Sequence, residues 1–582
     1  MAALWRRIIV SILVVLLATA GTTQCHPHKH HGHSAKAAFA PPATAHGICH
    51  TTPHPASCLV ASAAVHLDAA LIATSSVSVT LLPANVLSVV LASLRGALTA
   101  VSSLSPVLSS TLSAPPSSSS PPLRRGAAQD CLELHAATLE SLKRSTSLLT
   151  SPGESLPAVR AHLSAALTNK ATCLDGLAGA SGPKMDSLLS SLDDAYEHVS
   201  NSLSLVARHG SGGSTSSGFQ ATVAKIIHHN RRLLQDDDDE DDGDSDDNNG
   251  GGDDDNSGNG KDRSGSVETV ITVAKDGSGN FRTVGEAVAA APTRSDARTV
   301  IRVKAGTYEE NVEVPADKTN IALVGEGRDV TVITGRRSAA DGWSTFRTAT
   351  VGVAGEGFLA RDIAFRNTAG AAMGQAVALR VNADMAAVYR CAVEGHQDAL
   401  YAHSFRQFYR ECAVTGTVDI VFGNAAAVLQ ACALVAGAPL PGQSNVLTAQ
   451  SRADPAQETG FAVHHCTVEA SPALLASGVS TRTFLGRPWG AYARAVVMDS
   501  YLGPLVDRAG WLDWPGAEEG RRDTVYFGEY GNGGPGAGTD SRVGWAGFHD
   551  MDYDEAAQFA VDKFIYGDDW LGATSFPYDD GI

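Results

Sequence analysis

The sequence predicts a multidomain chain with an all-α helical bundle in its front half and an all-β parallel β-helix in its back half. The bundle is predicted because apolar residues recur at every third or fourth position within 61–207, a stretch rich in Ala, Leu and Ser. The β-helix is predicted because one segment pattern returns about every 20 residues in the back half. An acidic run at 236–255 separates the halves and is typical of an extended linker.

The net charge of the chain is concentrated in that acidic run. The 582 residues have a formal net charge of −18, and 236–255 holds 12 Asp, one Glu and no Lys or Arg. Residues 1–235 carry 16 basic and 10 acidic side chains, whereas 256–582 carry 28 basic and 39 acidic ones. Because the larger part has no excess of basic residues, we expect no nucleic-acid partner.

The N-terminal residues have the pattern of a secretory signal peptide. Two arginines precede an apolar run at 8–17, and small residues that suit cleavage follow at 18–20. The run is short for a transmembrane helix, which needs about 20 apolar residues. We therefore predict a secreted, extracellular protein without stable membrane association after signal cleavage, and an uncleaved membrane anchor is the alternative. The His-rich segment that follows is interpreted as a solvated tail.

The apolar pattern of the front half places one stripe on each predicted helix, which favours an antiparallel bundle. A Pro- and Ser-rich tract at 106–122 interrupts this pattern, and we predict a loop there. Cysteines occur in both halves, and in a secreted chain we expect them to pair within each half, which leaves Cys25 over. The predicted disulfide cysteines are Cys49, Cys58, Cys131, Cys173, Cys391, Cys412, Cys432 and Cys466.

A dibasic sequence stands immediately before the acidic run and is a candidate site for a processing protease. It consists of Arg231, Arg232, Leu233 and Leu234. A dibasic pair beside an extended segment is accessible to proteases. The acidic run was compared with a calcium-binding loop, but Asp247 stands where such a loop needs Gly at its sixth position. We therefore predict no metal site in the linker.

The repeat in the back half predicts a pair of carboxyl groups. Residues 391–398 (CAVEGHQD) return 21 positions later as 412–419 (CAVTGTVD). Residues one period apart on neighbouring strands lie about 4.8 Å apart, so Asp398 and Asp419 should be neighbours. Two close carboxyl groups disfavour joint ionisation, which suits a nucleophile and a general acid, with Gln397 as an amide donor beside them. The alternative is that both aspartates only cap backbone amides at a turn.

A second group of candidate residues lies near the C-terminal end of the repeats, at 486–490 (GRPWG). Arg487 can lower the pKa of one aspartate and hold it ionised. Trp489 on a concave face is a usual platform for a sugar ring.

The front half also contains ordered motifs. They are Cys49 and Cys58 with eight residues between them, DCLEL at 130–134, LTN at 167–169, TCLDG at 172–176 and VSNSL at 199–203. With these motifs the front half resembles the invertase and pectin methylesterase inhibitor domain. The resemblance implies a four-helix bundle with an N-terminal helical hairpin, and the disulfides Cys49–Cys58 and Cys131–Cys173.

The motifs of the back half are more specific. They are FRTV at 281–284, EAV at 286–288, GTYEE at 306–310, TVITG at 331–335, QAVALR at 375–380, GHQDALY at 395–401, GTVDIVFGNA at 416–425 and LGRPW at 485–489. With these motifs the back half resembles the plant pectin methylesterases over nearly all of 267–582. The resemblance implies a right-handed parallel β-helix that removes methyl esters from homogalacturonan in the cell wall, without metal or cofactor.

The resemblance also implies roles for individual residues. Asp419 attacks the methyl ester carbonyl of a galacturonate unit, and Asp398 protonates the departing methanol and then activates water. Gln397 stabilises the oxyanion. The residues implied to bind or orient substrate or nucleophile are Thr345, Gln375, Arg487 and Trp489. Asp398 and Asp419 are called the dyad below. Where the family usually has Tyr, this chain has His396, and we hypothesise that its imidazole titrates near neutrality and places positive charge beside the dyad.

The predicted domains follow from these observations. They are a signal peptide at 1–20, a His-rich segment at 21–44, an inhibitor-like pro-domain at 45–230, a processing site and acidic linker at 231–266, and a catalytic β-helix at 267–582. The pro-domain is expected to inhibit, to aid folding or to target the chain. The alternatives for the back half are an inactive wall-binding or inhibitor protein, or another pectin-acting β-helix enzyme, a lyase or a polygalacturonase.

Overall fold

The computed structural model describes residues 44–63, 82–113, 123–151, 155–178, 183–209, 269–478, 481–516 and 520–582. All of these residues belong to one compact unit, Ala43–Ile582. The predicted signal peptide, the His-rich segment with Cys25, the processing site and the acidic linker lie outside the described residues, apart from residue 44.

The front half forms a helical bundle, which is called the bundle below. Its helices are α1 (Ala45–Cys49), α2 (Pro55–Ala63), α3 (Ala84–Leu112), α4 (Ala127–Thr150), α5 (Leu156–Gly176) and α6 (Pro183–His209). The four long helices pack around one core, chiefly α4 on α5 and α3 on α6. The short α1 and α2 form the N-terminal hairpin, which the disulfide Cys49–Cys58 links, and Cys131–Cys173 joins α4 to α5.

Helix α3 corrects the predicted loop at 106–122, because it continues through Pro106 to Leu112. Proline removes one helical hydrogen bond, but Leu104 and Leu108 on either side of it are buried in the core of the bundle. Packing therefore outweighs the local cost of the proline. This helix is long and apolar enough to cross a membrane by length and composition, yet Leu94 and Val101 are fully buried inside the bundle.

The back half, called the β-helix below, consists of three parallel sheets that share successive turns of the chain. Sheet 1 contains β1 (Thr269–Val273), β2 (Thr299–Val303), β5 (Ile321–Val324), β8 (Leu359–Arg361), β11 (Ala386–Tyr389), β14 (Arg406–Arg410), β17 (Ala426–Gln430), β20 (Gly460–His464), β23 (Arg494–Met498), β25 (Tyr526–Tyr530) and β26 (Phe548–Asp550). Sheet 2 contains β4 (Val312–Val314), β7 (Val351–Val353), β10 (Leu379–Val381), β13 (Leu400–Ala402), β16 (Val421–Gly423), β19 (Asn445–Gln450) and β22 (Thr483–Pro488). Sheet 3 contains β3 (Gly306–Glu309), β6 (Thr331–Gly335), β9 (Ala364–Asn367), β12 (Ala392–Glu394), β15 (Ala413–Gly416), β18 (Ala433–Ala436), β21 (Thr467–Ala470) and β24 (Tyr501–Leu502).

Short helices surround these sheets. They are α7 (Val284–Ala290), α8 (Pro472–Ser477), α9 (Arg521–Thr524), α10 (Tyr553–Ala557), α11 (Val561–Phe564) and the 3₁₀ turns Thr345–Thr348, Ala371–Met373, Gly567–Asp569 and Leu571–Ala573. The C-terminal ones cover the outer face of sheet 1, where Phe559, Ile565 and Trp570 pack against strand residues such as Phe408 and Val428.

The four cysteines of the β-helix correct the prediction that they form disulfides, because Cys391, Cys412, Cys432 and Cys466 are buried free thiols. The repeat places them one above another, and each thiol donates to a nearby strand carbonyl, as Cys391 does to Tyr389 O at 3.3 Å. Their hydrogen bonds are thus satisfied without a covalent bond.

The two parts have separate hydrophobic cores. The buried residues of the bundle core run from Ile48 to Val206, and those of the main β-helix core run from Ile271 to Phe527. Since neither core needs buried residues of the other, each part has the apolar interior that an independent domain requires.

Candidate active site

Asp398 and Asp419 occupy equivalent positions on adjacent turns of the β-helix. Strands β13 and β16 pair with Leu400 opposite Val421, so the two aspartates stand two residues before partnered positions. Both lie at corners with positive φ, 65° and 55°, a conformation that costs energy in residues other than Gly and is frequent at functional sites. Both side chains are buried. Their equivalent positions on adjacent turns are those that the repeat in the sequence predicts.

Arg487 distinguishes the two aspartates. Its Nε donates to Asp419 Oδ1 at 2.8 Å and its Nη2 donates to Oδ2 at 2.6 Å, which is a bidentate ion pair. Burial raises the pKa of Asp419, and the hydrogen bonds from Arg487 oppose this rise. Burial, followed by the negative charge of Asp419, raises the pKa of Asp398 well above its usual range. The pair therefore holds its proton on Asp398 and its negative charge on Asp419.

The predicted amide donors also lie together. Gln375 and Gln397 form a bridge on neighbouring turns, and Ala376 N donates to Gln397 O at 3.1 Å. Both glutamine side chains are half-buried beside the dyad, and Thr345 begins the 3₁₀ turn before β7. Gln375 thus lies beside Gln397, one turn before the turn that carries Gln397 and Asp398. Thr345 lies one turn earlier again, just before β7 of sheet 2.

An aromatic surface lines the outer face of sheet 2 and is called the cleft. Five rings form a continuous row in which each ring contacts the next. The distances between successive ring centroids are 6.4 Å for Phe346–Tyr401, 4.1 Å for Tyr401–Phe422, 6.0 Å for Phe422–Trp489 and 6.4 Å for Trp489–Trp514. The guanidinium of Arg487 lies 4.4 Å from the ring centroid of Trp514. Sequence reasoning found Trp489 but missed Trp514, for which the Trp-Leu-Asp-Trp sequence ending at 514 was the available signal.

The surroundings of His396 do not favour the charge hypothesised for it. Burial lowers its pKa below the usual value, and its Nδ1 is buried without a hydrogen-bond partner. Burial therefore favours the neutral imidazole over a positive charge beside the dyad.

The bundle covers this cleft. Leu134 of α4 is almost fully buried in one cluster with Phe346, Tyr401 and Phe422. Asp175, near the end of α5, is close enough that its negative charge raises the pKa of Asp398. The bundle therefore lies against the aromatic surface and beside the dyad.

Polar contacts fix the bundle in this position along α4, α5 and α6. Asp130 and Glu133 of α4 form ion pairs with Arg347 at 2.6 and 2.7 Å. Arg160 of α5 pairs with Glu458 at 2.9 Å. Further hydrogen bonds join Thr172 to His403, Thr168 to Asn424, Ser164 to Gln457 and Ser200 to Asp454.

One group of potential metal ligands occurs in the described part of the chain, at His464, His465 and Asp499. It lies at the corner between sheets 1 and 3, on a different side of the β-helix from the dyad on sheet 2. Gln430 Nε2 donates to His464 Nδ1 at 3.2 Å, which leaves the imidazole proton on Nε2, the atom that faces Asp499. This tautomer disfavours a metal ion there.

Comparisons with known proteins agree with both parts. The pectinesterase family model matches 270–568, and the model described as plant invertase/pectin methylesterase inhibitor matches 43–205. A probable pectinesterase/pectinesterase inhibitor 12 of Arabidopsis thaliana is 45% identical over 542 residues, which are 93% of this chain and 94% of that protein. Pectinesterase 2.1 of Solanum lycopersicum is 51% identical over 311 residues, 53% of this chain and 56% of that protein.

Among solved structures, the pectin methylesterase from carrot is similar to this chain at 50% identity with a TM-score of 0.53. The match covers 55% of this chain and 100% of the carrot chain, a share that corresponds to the β-helix without the bundle. Together with its separate core, this indicates that the β-helix folds on its own.

Proposed function

The chain belongs to the pectinesterase family, with an inhibitor-type domain joined to a right-handed parallel β-helix, and on this basis we propose which residues carry out its reaction. It is a carboxylic ester hydrolase that acts on pectin outside the cell. We place its action in the plant cell wall, on the methyl esters of homogalacturonan.

The observation that carries the assignment of roles is the unequal environment of the two aspartates. Asp419 is held as an anion by the bidentate contact with Arg487, whereas Asp398 is buried beside that anion and keeps a proton. An anionic and a protonated carboxyl side by side supply a nucleophile and a general acid.

The reaction then has two stages. Asp419 attacks the ester carbonyl carbon, the Gln397 amide donates to the oxyanion that forms, and the bond to the methoxy oxygen breaks. Asp398 gives its proton to the leaving oxygen, which releases methanol. In the second stage the Asp398 carboxylate takes a proton from water, and the hydroxide attacks the galacturonate carbonyl of the acyl-enzyme. This breaks the bond to Asp419, which leaves as the anion, and releases a galacturonic acid unit that loses its proton to solvent, while Asp398 is protonated again.

The other predicted residues position the polysaccharide. Gln375 lies beside Gln397 and can donate to the same carbonyl region, and Thr345 stands at the edge of the cleft. Trp489 continues the aromatic surface on which a sugar ring can stack.

We also propose that the bundle is an internal inhibitor that a protease releases. The burial of Leu134 among the aromatic side chains of the cleft supports this role, and so does the position of Asp175 beside Asp398. Cleavage at 231–234 would cut the chain between the bundle and the β-helix. Folding and targeting are the other roles that were considered for the bundle, and the covered cleft favours inhibition.

Methanol release from highly esterified pectin tests both proposals. We expect residues 267–582 to release methanol without shortening the polysaccharide or forming unsaturated ends, and the uncleaved chain to release far less. Asp419→Asn and Asp398→Asn should each lower kcat by at least about 100-fold, since general acid–base catalysis alone contributes about that much. Release of no methanol by the wild-type β-helix would contradict the function, and equal release by both forms would contradict the inhibitor role.

A further inference from the structure

The ion pairs that hold the bundle in place also reveal a carboxylate-binding site in the β-helix. Asp130 inserts its carboxylate between Ser344 and Arg347: the Ser344 hydroxyl donates to Oδ2, and Arg347 Nε donates to Oδ1 at 2.8 Å. Glu133, on the same face of α4, accepts from Arg347 Nη2 at 2.7 Å. Both donors belong to the β-helix, and both carboxylates belong to the bundle.

Arg347 depends on the bundle for its burial. Its side chain is 9% exposed, and Gly126, just before α4, covers its aliphatic part so closely that an added Cβ would lie 3.1 Å from Arg347 Cγ. When the bundle leaves, the guanidinium therefore faces the solvent of the cleft.

Among the described residues of the β-helix, Glu313 is the one carboxylate that pairs with this arginine. Glu313 lies 3.4 Å from Arg347, but it also binds the fully buried Arg380 at 2.8 Å across Gly352, which has no side chain to separate them. One carboxylate thus serves two guanidinium groups. Without the bundle, Arg347 and Arg380 therefore outnumber the one described carboxylate that pairs with them.

The position of this site relates it to the dyad. Strands β7, β10, β13 and β16 follow one another in sheet 2, with Arg347 just before β7 and the aspartates before β13 and β16. At the spacing of parallel strands, Arg347 is about 10–14 Å from the reacting carboxyls. Phe346 and Tyr401 lie between them as part of the cleft. A polysaccharide on this surface would bring a sugar a few units from the reacting ester to Ser344 and Arg347.

We propose that Ser344 and Arg347 form a subsite for the free carboxylate of an already demethylated galacturonate unit, and that Asp130 and Glu133 fill it in the uncleaved chain. The proposal rests on the pectinesterase function above and names a preference within that substrate. A carboxylate accepts two charge-assisted hydrogen bonds from Arg, whereas a methyl ester has no negative charge. The subsite therefore favours polysaccharide chains in which demethylation has begun.

Binding without turnover tests this subsite. Unesterified hexagalacturonate and its fully methylated form are titrated by calorimetry into residues 267–582 that carry Asp419→Asn, so that no ester is consumed. We expect Arg347→Gln to weaken binding of the unesterified hexamer at least tenfold more than binding of the methylated one. Ser344→Ala should change the same ratio about threefold, with a smaller risk to folding. Arg366→Gln, which removes an exposed arginine paired with Glu394 on sheet 3, is the matched control and should leave the ratio unchanged.

Two outcomes would overturn the proposal. If Arg347→Gln and Ser344→Ala leave the ratio unchanged, the site only fastens the bundle. If the uncleaved chain binds the unesterified hexamer as tightly as the β-helix does, Asp130 and Glu133 do not occupy the subsite. Because binding is measured in a form that cannot turn over, a failure of methanol release in the wild type would count against the proposed function and not against the subsite.

Discussion

Asp175 of the bundle and Asp398 of the β-helix are two carboxyl groups brought together by the docking of α5 on the cleft. Asp175 keeps part of its surface exposed, but the protein packed around it removes enough water to raise its pKa, which Arg124 opposes. The charge of Asp175 in turn raises the pKa of Asp398. Two carboxylates this close repel each other, so the docked state is favoured when at least one of the two groups is protonated.

Binding of the bundle should therefore weaken as pH rises. The pKa of Asp175 is raised in the docked bundle, so its contribution to binding is fully present below its ordinary pKa of about 4 and is lost as pH rises through the raised value. After cleavage of the linker, calorimetry between pH 4 and 7 should show a falling affinity. Asp175→Asn should flatten this dependence, and an equally steep dependence in that variant would contradict the assignment.

Arg487 should set the acid limb of the pH–rate profile. Its hydrogen bonds lower the pKa of Asp419, so Arg487→Gln lets Asp419 take up a proton at higher pH. We expect the acid limb of kcat/KM for methanol release to move to higher pH, with a loss of about tenfold or more at pH 5. Arg487→Lys keeps a cation and should shift the limb less. A lower rate with an unmoved limb would show that Arg487 acts only on substrate.

Leu134 should contribute strongly to inhibition. It is 1% exposed among aromatic side chains of the cleft, and truncating such a residue costs about 2–5 kcal/mol. Leu134→Ala in the uncleaved chain should therefore raise methanol release by about tenfold or more. Val107→Ala, on the exposed side of α3, is the control and should change nothing. Activity as low as that of the wild type would mean that Leu134 does not keep the cleft closed.

His396 should have little influence on the pH dependence. Burial lowers its pKa, which favours the neutral imidazole near pH 7. In residues 267–582, His396→Tyr should leave the pH–rate profile for methanol release unshifted above about pH 6.5, its unperturbed value. A clear shift of the neutral limb would restore the hypothesis that this imidazole carries charge beside the substrate.

The dyad could be predicted from sequence because the β-helix converts sequence period into spatial distance. A repeat of 21 residues places Asp398 next to Asp419 whatever the rest of the chain does. The free thiols were not predicted, because the repeat shows that the cysteines are neighbours but not that each thiol donates a hydrogen bond to a backbone carbonyl. The continuation of α3 through Pro106 was missed because local propensity does not include the packing of Leu104 and Leu108.

The covered cleft had no local signal in the sequence. Leu134 meets Phe346 across more than 200 positions of chain, and a stripe of leucines on a helix looks the same whether it faces its own bundle or another domain. Trp514 was not predicted for a similar reason. The sequence around it contains two tryptophans but does not indicate that the Trp514 ring lies against the guanidinium of Arg487. Such contacts depend on shape complementarity between surfaces that fold separately.

If the bundle is the internal inhibitor proposed above, the two separate cores have a consequence for how fast the enzyme is activated after cleavage. While the stretch between His209 and Thr269 is intact, the bundle is tethered at an effective concentration on the order of mM, so even a modest intrinsic affinity keeps the cleft filled. Cutting the tether changes no fold and forms no new contact, but it subjects the bundle to dilution. After cleavage the rate of activation is the off-rate of the bundle. The extent of activation depends on the concentration of the cleaved enzyme, because dilution favours dissociation of the bundle.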